Sequence, residues 1–476
     1  MKCVNKMNVL TYECNKVLEI VTVFDDSTKE IKDLRINNAL KPRILGNVYA
    51  AKVISIMDGM EGAFVDIGEP ENAFIQRTQL LRAVGLSPSK NSATPLSKLV
   101  KKGQMFLGQV DKEPYQSKGA QLTNDISIAG KYIVLKPFLK GVKISRKTGF
   151  KAETELMETA LTNALTNRYG VIVRSATFSD VISPDAVLNE LETLISIWES
   201  LKKRFELMST VKCIYQNSST GDDLVSMAQA YNVDKIFVVS PKDKTWLISL
   251  GIDKNRITVK RVDTSLYQEV GLDLDRFLRA VKFNSKEGIS VTINELEAFT
   301  VIDVNSSKYV MDLSKRDRVF EVNDLAAIII LEKILLFNIS GIILIDFIDM
   351  STQEQLAFVQ HLLDKGFNKK NGITIEGFTA LGILEITRKR VSPSLKDLLS
   401  FNFEDKDLKF WDLHTLFVDL ARMKHHTNTT QVNLEVETSL FVYLRQNNLF
   451  DGIDLKVNLK HNESTQKNYK LHTSKH

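Results

Sequence analysis

The chain has 476 residues and a formal net charge of +5, from 63 Lys and Arg residues against 58 Asp and Glu residues. This length predicts about two to four domains, and the small net charge means that binding to a polyanion would depend on local basic patches. The three cysteines, Cys3, Cys14 and Cys213, form no CxxC pair, which argues against a disulfide framework and a local metal clip. We expect no membrane span and no signal peptide, because no uncharged apolar run approaches roughly 20 residues.

Residues 43–123 consist of short strand-like segments separated by turns, with Gly59, Gly62 and Gly68 as breaks. The alternation of apolar and polar residues predicts a small antiparallel barrel. Barrels of the oligonucleotide-binding kind stack bases on aromatic side chains of one strand face, and Phe64 and Phe74 are the candidates here. Core packing is the commoner role of a strand Phe. The segment 85–98 is predicted to be a mobile surface loop.

Residues 131–147 contain six basic residues and no acid, with Tyr132 and Phe138 between them. A solvated basic edge is the commoner explanation of such a run, whereas its position after the barrel favours contacts with nucleic-acid phosphates. Farther along the chain, two amphipathic helices (153–167 and 188–205) surround a strand at 170–176, and another strand is predicted at 232–240. This pattern is typical of an α/β domain.

The segment 299–309, FTVIDVNSSKY, begins as a strand and places Asp303 and Asn305 on one face, because side chains two residues apart share a face. A helix is predicted at 321–338. The apolar run 342–345 then ends at Asp346 and is predicted to be a strand buried on both faces. In open α/β sheets the ligand site lies at the carboxyl ends of the strands, where both acids fall.

Asp303, Asp346 and Asn305 form an oxygen-only set, which is suited to magnesium. A magnesium ion on a phosphodiester can polarise the phosphoryl oxygen and activate water, and Asn305 would orient substrate or water. The alternative is that both acids only cap neighbouring loops or helices. Asp349 is predicted to be structural, with its carboxylate fixing Arg388 or Arg390.

Three long motifs resemble the catalytic signatures of the ribonuclease E and ribonuclease G endoribonucleases: FTVIDVNSSKY, GIILIDFIDM and, at 381–395, LGILEITRKRVSPSL. The barrel text GNVYAAKVISIMDGMEGAFVDIGEPENAFI and the later SKGAQLTNDISIAGKYIVL are similar to the RNA-binding insert of the same family and the segment after it. The resemblance extends from about residue 8 to about residue 460.

This resemblance implies an α/β and α+β multidomain architecture. A ribonuclease-H-like domain carries an inserted OB-fold RNA-binding barrel and precedes a deoxyribonuclease-I-like catalytic domain and a small C-terminal α/β unit. The implied boundaries are 1–42 for the first part of the ribonuclease-H-like domain, 43–123 for the barrel, 124–214 for the ribonuclease-H-like remainder with the 5′ sensor region, 215–279 for an α/β connecting part, 280–400 for the catalytic domain, 412–463 for the C-terminal domain and 464–476 for a disordered tail.

The resemblance also implies roles for single residues. Asp303 and Asp346 match the family's two magnesium ligands, and Asn305 matches the Asn that supports the attacking water or phosphate. Phe64, Phe74 and Lys118 match positions that grip RNA. The pocket for a 5′ monophosphate is matched by Gly130, Val134, Arg146, Arg174 and Ser175, with the Arg174 guanidinium as its anchor.

The sequence departs from the family pattern at several points. Ser175 replaces the usual Thr, and Gly372 replaces a basic residue before ITIEGF, where Lys369 and Lys370 are possible substitutes. The turn FNSKEG at 283–288 replaces one richer in Pro and Gly. No CPxC pair follows SPSL, so we expect no structural zinc and, at most, a homodimer without a zinc link. We also expect no long degradosome scaffold tail.

These observations predict a magnesium-dependent endoribonuclease that cuts single-stranded, A/U-rich RNA to 5′-phosphate and 3′-hydroxyl ends in rRNA, tRNA and mRNA processing and decay. One alternative is a non-catalytic RNA-binding scaffold that retains the fold, and another is a nuclease acting on DNA. The abundance of Lys, Asn and Ile predicts an AT-rich genome, and hence a plastid stroma (chloroplast) or a bacterial cytoplasm as the location.

Overall fold

The structure is a computed structural model that describes residues 7–115, 118–144, 151–165, 168–174, 184–217, 220–260, 265–306, 315–400, 409–427, 431–450, 456–462 and 469–473. The strands of these residues are β1 (Asn8–Cys14), β2 (Leu18–Asp25), β3 (Ile31–Asn38), β4 (Val48–Met57), β5 (Gly62–Asp66), β6 (Ala73–Gln76), β7 (Met105–Lys112), β8 (Gln121–Thr123), β9 (Ile128–Ala129), β10 (Ile133–Lys136), β11 (Gly141–Ile144), β12 (Gly170–Val173), β13 (Lys212–Tyr215), β14 (Lys235–Val238), β15 (Ile257–Val259), β16 (Lys282–Asn284), β17 (Ser290–Glu295), β18 (Phe299–Asn305), β19 (Gly341–Asp346), β20 (Ile373–Phe378), β21 (Ile383–Arg388), β22 (Gln431–Val436), β23 (Lys456–His461) and β24 (Tyr469–Thr473).

The α-helices of the described residues are α1 (Arg77–Ala83), α2 (Leu96–Leu99), α3 (Lys151–Leu165), α4 (Pro184–Glu206), α5 (Thr220–Ala230), α6 (Pro241–Ser249), α7 (Leu266–Glu269), α8 (Leu274–Arg279), α9 (Lys315–Leu336), α10 (Thr352–Lys365), α11 (Leu395–Leu399), α12 (Lys409–Thr427) and α13 (Thr438–Gln446). The chain divides into two compact units, one formed by residues 44–219 and the other by residues 1–43 and 220–476. Both units contain sheets with packed helices, so the fold is mixed α/β.

The unit 44–219 contains a closed five-stranded barrel. Its strands follow the order β4, β5, β6, β8 and β7, and pairing of β4 with β7 closes it. This agrees with the predicted small barrel, although the β6–β8 pair is parallel. The loop predicted to be mobile contains α2, and the Arg77 guanidinium donates to the carbonyl oxygens of Asn91 and Thr94 within it. Buried Val, Ile, Ala and Leu side chains fill the barrel.

A second sheet in the same unit has the order β11, β12, β10 and β9. Helices α3 and α4 pack on it, and their apolar side chains share one core with β10 and β12. The two helices and the strand predicted here are therefore present within the described residues, with boundaries shifted by a few positions. Val134 of the expected 5′ sensor lies on β10 of this sheet, and Gly130 and Arg174 lie directly beside its strands.

The other unit begins with a sheet of order β15, β14, β1, β2 and β3, in which β14 is the strand predicted at 232–240. Its largest sheet has the order β16, β17, β18, β19, β21 and β20. Among the described strands of this sheet, β18 and β19 alone pair in parallel, and α9 connects them, as predicted from the strand, helix, strand pattern.

The prediction that β19 is buried on both faces is wrong. Ile343 and Ile345 are fully buried, whereas Ile342 is 50% exposed and Leu344 is half-buried. The sheet is mostly antiparallel, and such sheets commonly have one face in the core and one in water. The four-residue apolar run therefore alternates between a covered face and an open one.

A three-stranded sheet of order β23, β22 and β24 packs with α12 and α13 near the end of the chain. Strand β24 lies within the segment 464–476, for which the sequence predicted disorder, and it pairs antiparallel with β22. Tyr469 and Leu471 pack against the core, and the Tyr469 hydroxyl donates to Asp419 at 2.8 Å, so these contacts hold β24 in place. No helix in the described part of the chain is long and apolar enough to cross a membrane.

Candidate active site and RNA-binding surfaces

Asp303 and Asp346 are direct neighbours across β18 and β19, the one parallel pair among the described strands of their sheet. The register of β18 and β19 pairs Asp303 with Asp346, so both side chains extend from the same face, on strands about 4.8 Å apart. Ile302, Val304 and Ile345 extend from the opposite face and are buried. Asp303 is half-buried and Asp346 is exposed, so the two acids lie on the open face of the sheet.

Asn305 lies two residues after Asp303 on the same face, as predicted. Its side-chain amide donates a hydrogen bond to the Asp303 carboxylate. The residues in register on either side of the acid pair are Thr292 on β17 and Ile383 on β21. The flanking strands therefore add no third carboxylate beside the pair.

The donor chemistry of this pair fits a hard cation. Two carboxylates and an amide oxygen on an open face leave the remaining coordination positions to water and substrate, which is how magnesium is usually held. Among the described residues, no group of three or more His, Cys, Asp or Glu side chains is arranged to hold a metal ion. A cation at this site would thus depend on Asp303 and Asp346 as its charged ligands.

Asn323 fixes the strand end that carries Asp346, a role the sequence analysis missed. This residue of α9 is fully buried, and its amide donates to the carbonyl of Ile348 at 2.8 Å and accepts from the Ile348 N–H at 3.0 Å. Phe347, between Asp346 and Ile348, is buried against Phe358. The backbone beyond Asp346 is therefore held both by packing and by two hydrogen bonds.

Asp349 was predicted to fix Arg388 or Arg390, and the hydrogen bonds of the Arg388 guanidinium go to other groups. The Arg388 guanidinium donates to the Asn338 side chain at 2.9 Å and to the carbonyl oxygens of Ile339 and Asn371. Asp349 is exposed. Arg388 thus stabilises the loop after α9 rather than the loop after β19.

Phe64 and Phe74 form an aromatic pair on the outer surface of the barrel. They are register partners on β5 and β6, both half-buried, with ring centroids 5.6 Å apart in an edge-to-face arrangement. Their neighbours Ala63, Val65 and Ile75 are fully buried inside the barrel. The alternation therefore places the two rings on the outside, as base stacking would require.

The register extends the Phe64–Phe74 pair into a row across five strands. Ser55 on β4 pairs with Phe64, Gln121 on β8 pairs with Phe74, and Lys112 on β7 pairs with Gln121. These three polar flanking residues were missed, because their pairing with the aromatics depends on strand register.

Lys118 lies three residues before Gln121 and is exposed. Its backbone N–H and carbonyl exchange hydrogen bonds of 2.9 Å with Tyr115. The structure thus places Phe64 and Phe74 in one surface row of the barrel and Lys118 in the exposed segment that leads into β8 of that row.

Three of the five residues predicted for the 5′ sensor lie in the described part of the chain. Gly130 is in the turn between β9 and β10, Val134 is half-buried on β10, and Arg174 is exposed directly after β12. The Arg174 guanidinium donates to the Gly130 carbonyl at 2.8 Å, and its backbone N–H donates to the Tyr132 carbonyl at 2.9 Å. The other two, Arg146 and Ser175, lie outside the described residues.

Gly372, where a basic residue was expected, ends a short 3-10 turn (Lys369–Asn371) with a φ of 72°. A residue with a side chain is disfavoured in this left-handed conformation, which accounts for glycine at this point of the turn. Lys369 and Lys370 are both exposed in that turn.

Comparison with known proteins identifies relatives along most of the chain. A family model described as the Ribonuclease E/G family matches residues 127–391. Ribonuclease G of Escherichia coli (strain K12) is 27% identical over 380 residues, which cover 78% of this chain and 77% of the relative. Ribonuclease G of Haemophilus influenzae is 28% identical over 392 residues and covers 78% of each chain.

Ribonuclease E of Synechocystis sp. is 30% identical over 366 residues, which cover 74% of this chain and 53% of the relative. The chain thus matches about half the length of this ribonuclease E and most of the length of the ribonuclease G proteins. Because the family model matches more than half of the chain, the chain belongs to the ribonuclease E/G family.

Proposed function

We propose that the chain cuts single-stranded, A/U-rich RNA at internal phosphodiester bonds with a magnesium ion held by Asp303 and Asp346. As a member of its family, it is an endoribonuclease of the ribonuclease E/G type. The observation that supports the catalytic site most strongly is the parallel register of β18 and β19, which pairs the two acids on an open sheet face.

Each residue of this site has a separate task in the proposed reaction. The magnesium ion, when bound, would polarise the phosphoryl oxygen and lower the pKa of the attacking water, leaving 5′-phosphate and 3′-hydroxyl ends. The amide of Asn305 donates to Asp303 and so orients that carboxylate, while its amide oxygen would orient water or phosphate. Asn323 holds the backbone after Asp346 and thereby maintains the direction of the second carboxylate.

The barrel supplies the binding of single-stranded RNA in this proposal. Phe64 and Phe74 offer two adjacent ring surfaces for bases, and Lys118 offers an ammonium group for a phosphate. Stacking on aromatic rings tolerates many sequences, so the barrel would hold the strand without selecting a unique site.

The second sheet supplies the recognition of the RNA 5′ end. Arg174, with Gly130 and Val134 and with Arg146 and Ser175 outside the described residues, would bind a 5′ monophosphate. A guanidinium can donate two parallel hydrogen bonds to a phosphate. The arrangement of Arg174 on the Gly130 carbonyl supports this assignment, since it directs the guanidinium along the turn before β10.

The architecture implied by the family remains part of the proposal. We assign residues 1–42 and 124–214 to a ribonuclease-H-like domain, residues 43–123 to an OB-fold barrel and residues 280–400 to a deoxyribonuclease-I-like domain. The proposed setting is RNA processing and decay in a plastid stroma or a bacterial cytoplasm. Relatives in bacteria and cyanobacteria support this setting.

Substitution of one acid tests the proposed chemistry. Asp303→Asn should abolish cleavage, because one charged ligand of the ion is lost, while the affinity for RNA stays within a few fold of wild type. Asp349→Asn is the matched control, since Asp349 is an exposed acid three residues after Asp346 and outside the proposed pair. Loss of RNA binding in Asp303→Asn, or full cleavage by it, would contradict the assignment.

A further inference from the structure

Glu190 lies outside every site described above, yet it makes an unusual set of contacts. This residue of α4 is half-buried, and its carboxylate accepts hydrogen bonds from three consecutive backbone N–H groups, those of Lys131, Tyr132 and Ile133. The Tyr132 and Ile133 bonds are 2.8 and 3.0 Å long. One carboxylate thus accepts hydrogen bonds from three consecutive backbone N–H groups at the turn between β9 and β10.

Gly130, the first residue of that turn, is adapted to this carboxylate. A Cβ at position 130 would lie 2.5 Å from the carboxyl carbon of Glu190 and within 2.8 Å of both its oxygens. Any side chain here would therefore displace Glu190 or the turn. Glycine is required at this position for the approach of Glu190, in addition to any contact it makes with RNA.

The same turn determines where Arg174 is directed. The Gly130 carbonyl accepts from the Arg174 guanidinium at 2.8 Å, and the Tyr132 carbonyl accepts from the Arg174 backbone N–H. The backbone N–H groups of the turn therefore bind Glu190, while the backbone carbonyl oxygens of the same turn bind Arg174. A change in the turn would move the guanidinium, because both of these hydrogen bonds of Arg174 end on it.

We propose that Glu190 is the positioning residue of the 5′-monophosphate sensor: it holds the 130–133 turn in the conformation that directs Arg174 toward the RNA 5′ end. This inference rests on the proposed function, since it assigns Arg174 to phosphate recognition. Three hydrogen bonds to an ionised acceptor are among the stronger interactions available to a backbone turn.

The test compares cleavage of one A/U-rich oligoribonucleotide carrying either a 5′ monophosphate or a 5′ hydroxyl. In Glu190→Gln, one carboxylate oxygen becomes an NH₂ group that faces an N–H donor, so the turn loses at least one hydrogen bond. We expect the ratio of kcat/KM values, monophosphate over hydroxyl, to fall about tenfold, the order expected for losing one such bond. The rate on the 5′-hydroxyl substrate should stay unchanged.

Two further variants separate positioning from general stability. Glu192→Gln, at an exposed position of the same helix, should leave the ratio unchanged. Gly130→Ala should lower the ratio as Glu190→Gln does. When Gly130→Ala is added to Glu190→Ala, however, the ratio should change little further, because the steric conflict between the two side chains is then removed. Equal losses on both substrates, accompanied by a lower Tm, would show a purely structural role and overturn the inference.

The wild-type protein and Arg174→Gln distinguish this inference from the function it rests on. No cleavage of either oligoribonucleotide by the wild type would overturn the proposed function, and equal rates on both would overturn 5′ sensing together with this inference. A wild-type preference that Arg174→Gln abolishes but Glu190→Gln retains would overturn the role of Glu190 alone.

Discussion

At the scale of single residues, the aromatic pair on the barrel depends on a glycine beneath it. A Cβ at Gly62 would lie 2.3 Å from Cζ of Phe74, so the Phe74 ring occupies the space over that glycine. Because position 62 has no side chain, the Phe74 ring can pack against β5. This support keeps Phe74 in place before any RNA binds, and preorganised contacts lose less conformational entropy on binding.

Replacing Phe74 should weaken RNA binding without unfolding the barrel. Phe74→Leu keeps an apolar side chain over Gly62 but removes the stacking surface, which is typically worth about 1–3 kcal/mol per base. We expect the Kd for a single-stranded oligoribonucleotide to rise by roughly five- to 150-fold, measured by fluorescence anisotropy. Phe441→Leu is the control, because Phe441 is also half-buried and packs on His461 in the C-terminal part of the chain, outside the barrel. An equal loss in both variants would contradict the assignment.

A buried carboxyl predicts a specific pH dependence of stability. Burial raises the pKa of Glu13 from 4.5 to about 7, although the backbone N–H groups of Leu266 and Tyr267 lower it. Stability from such a group is complete below its ordinary pKa and is lost as the pH rises to about 7. His414, with Nε2 at 3.6 Å from Glu13, acts oppositely: burial lowers its pKa to about 3, so its contribution is lost as the pH falls below about 6.5.

Glu13→Gln removes one of these two opposing effects. Relative to wild type, its free energy of unfolding should increase by about 2.5 kcal/mol between pH 5 and pH 8, because the buried carboxylate no longer has to ionise. Urea denaturation at several pH values measures this difference. Glu30→Gln, at an exposed carboxyl, should follow the wild-type curve. A Glu13→Gln curve parallel to wild type would show that Glu13 does not titrate in this range.

Sequence patterns identified the residues of the proposed catalytic site. Asp303 and Asn305 were found from strand alternation, because a period of two fixes which side chains share a face, and Asp346 was found at the end of an apolar run. Asn323 and Glu190 were missed because their partners are backbone groups distant in sequence. No residue pattern marks such partners, so only the folded structure reveals them.

At the scale of secondary-structure elements, the strand, helix, strand unit β18, α9 and β19 carries the proposed chemistry. Its existence was predictable from the apolar periodicity, since a parallel pair needs a crossover of a dozen or more residues. The burial of β19 was not predictable, because a short apolar run fits strands with one or two covered faces. The open face is what makes Asp303 and Asp346 accessible to RNA.

Asn323 connects α9 to the backbone after β19. Its replacement should impair catalysis without weakening RNA binding. Asn323→Leu leaves the N–H and carbonyl of Ile348 unpaired, which should lower the free energy of unfolding by roughly 2–4 kcal/mol. We expect kcat to fall while the RNA Kd stays unchanged, because only the direction of Asp346 is disturbed. Steady-state kinetics and thermal unfolding measure these quantities.

Asn371→Leu is the matched control for this experiment. Asn371 is half-buried and, like Asn323, donates to a backbone carbonyl, that of Gly366, but it lies away from β18 and β19. Its replacement should lower stability without lowering kcat. If both variants lose stability and kcat in the same proportion, Asn323 has no special role in placing Asp346.

At the scale of the whole molecule, one unit is continuous in sequence and is inserted between the two parts of the other unit. Residues 44–219 form one compact unit, and residues 1–43 join residues 220–476 in the second. The long-range pairing of β1 with β14 is what connects the two parts of the second unit. Composition indicated several domains, but the point of insertion became an expectation only through the family resemblance, because periodicity does not reveal which distant strands pair.

The C-terminal sheet likewise shows that sequence periodicity does not reveal which distant strands pair. The resemblance implied a small C-terminal α/β unit at 412–463, whereas β24 lies beyond it, in text rich in Lys, His and polar residues. Only the pairing of β24 with β22 and the packing of Tyr469 make this segment a strand. Local composition is therefore a poor guide where tertiary contacts decide the structure.

The most direct test of the account is a gel assay of internal cleavage of one A/U-rich oligoribonucleotide, with and without magnesium, by the wild type and Asp346→Asn. The account predicts cleavage by the wild type that chelation of the metal abolishes and that magnesium restores, with no cleavage by Asp346→Asn and nearly unchanged RNA binding. Cleavage that persists without divalent metal, or in Asp346→Asn, would contradict the proposed site. RNA binding by the wild type without cleavage under any metal would indicate an RNA-binding scaffold instead.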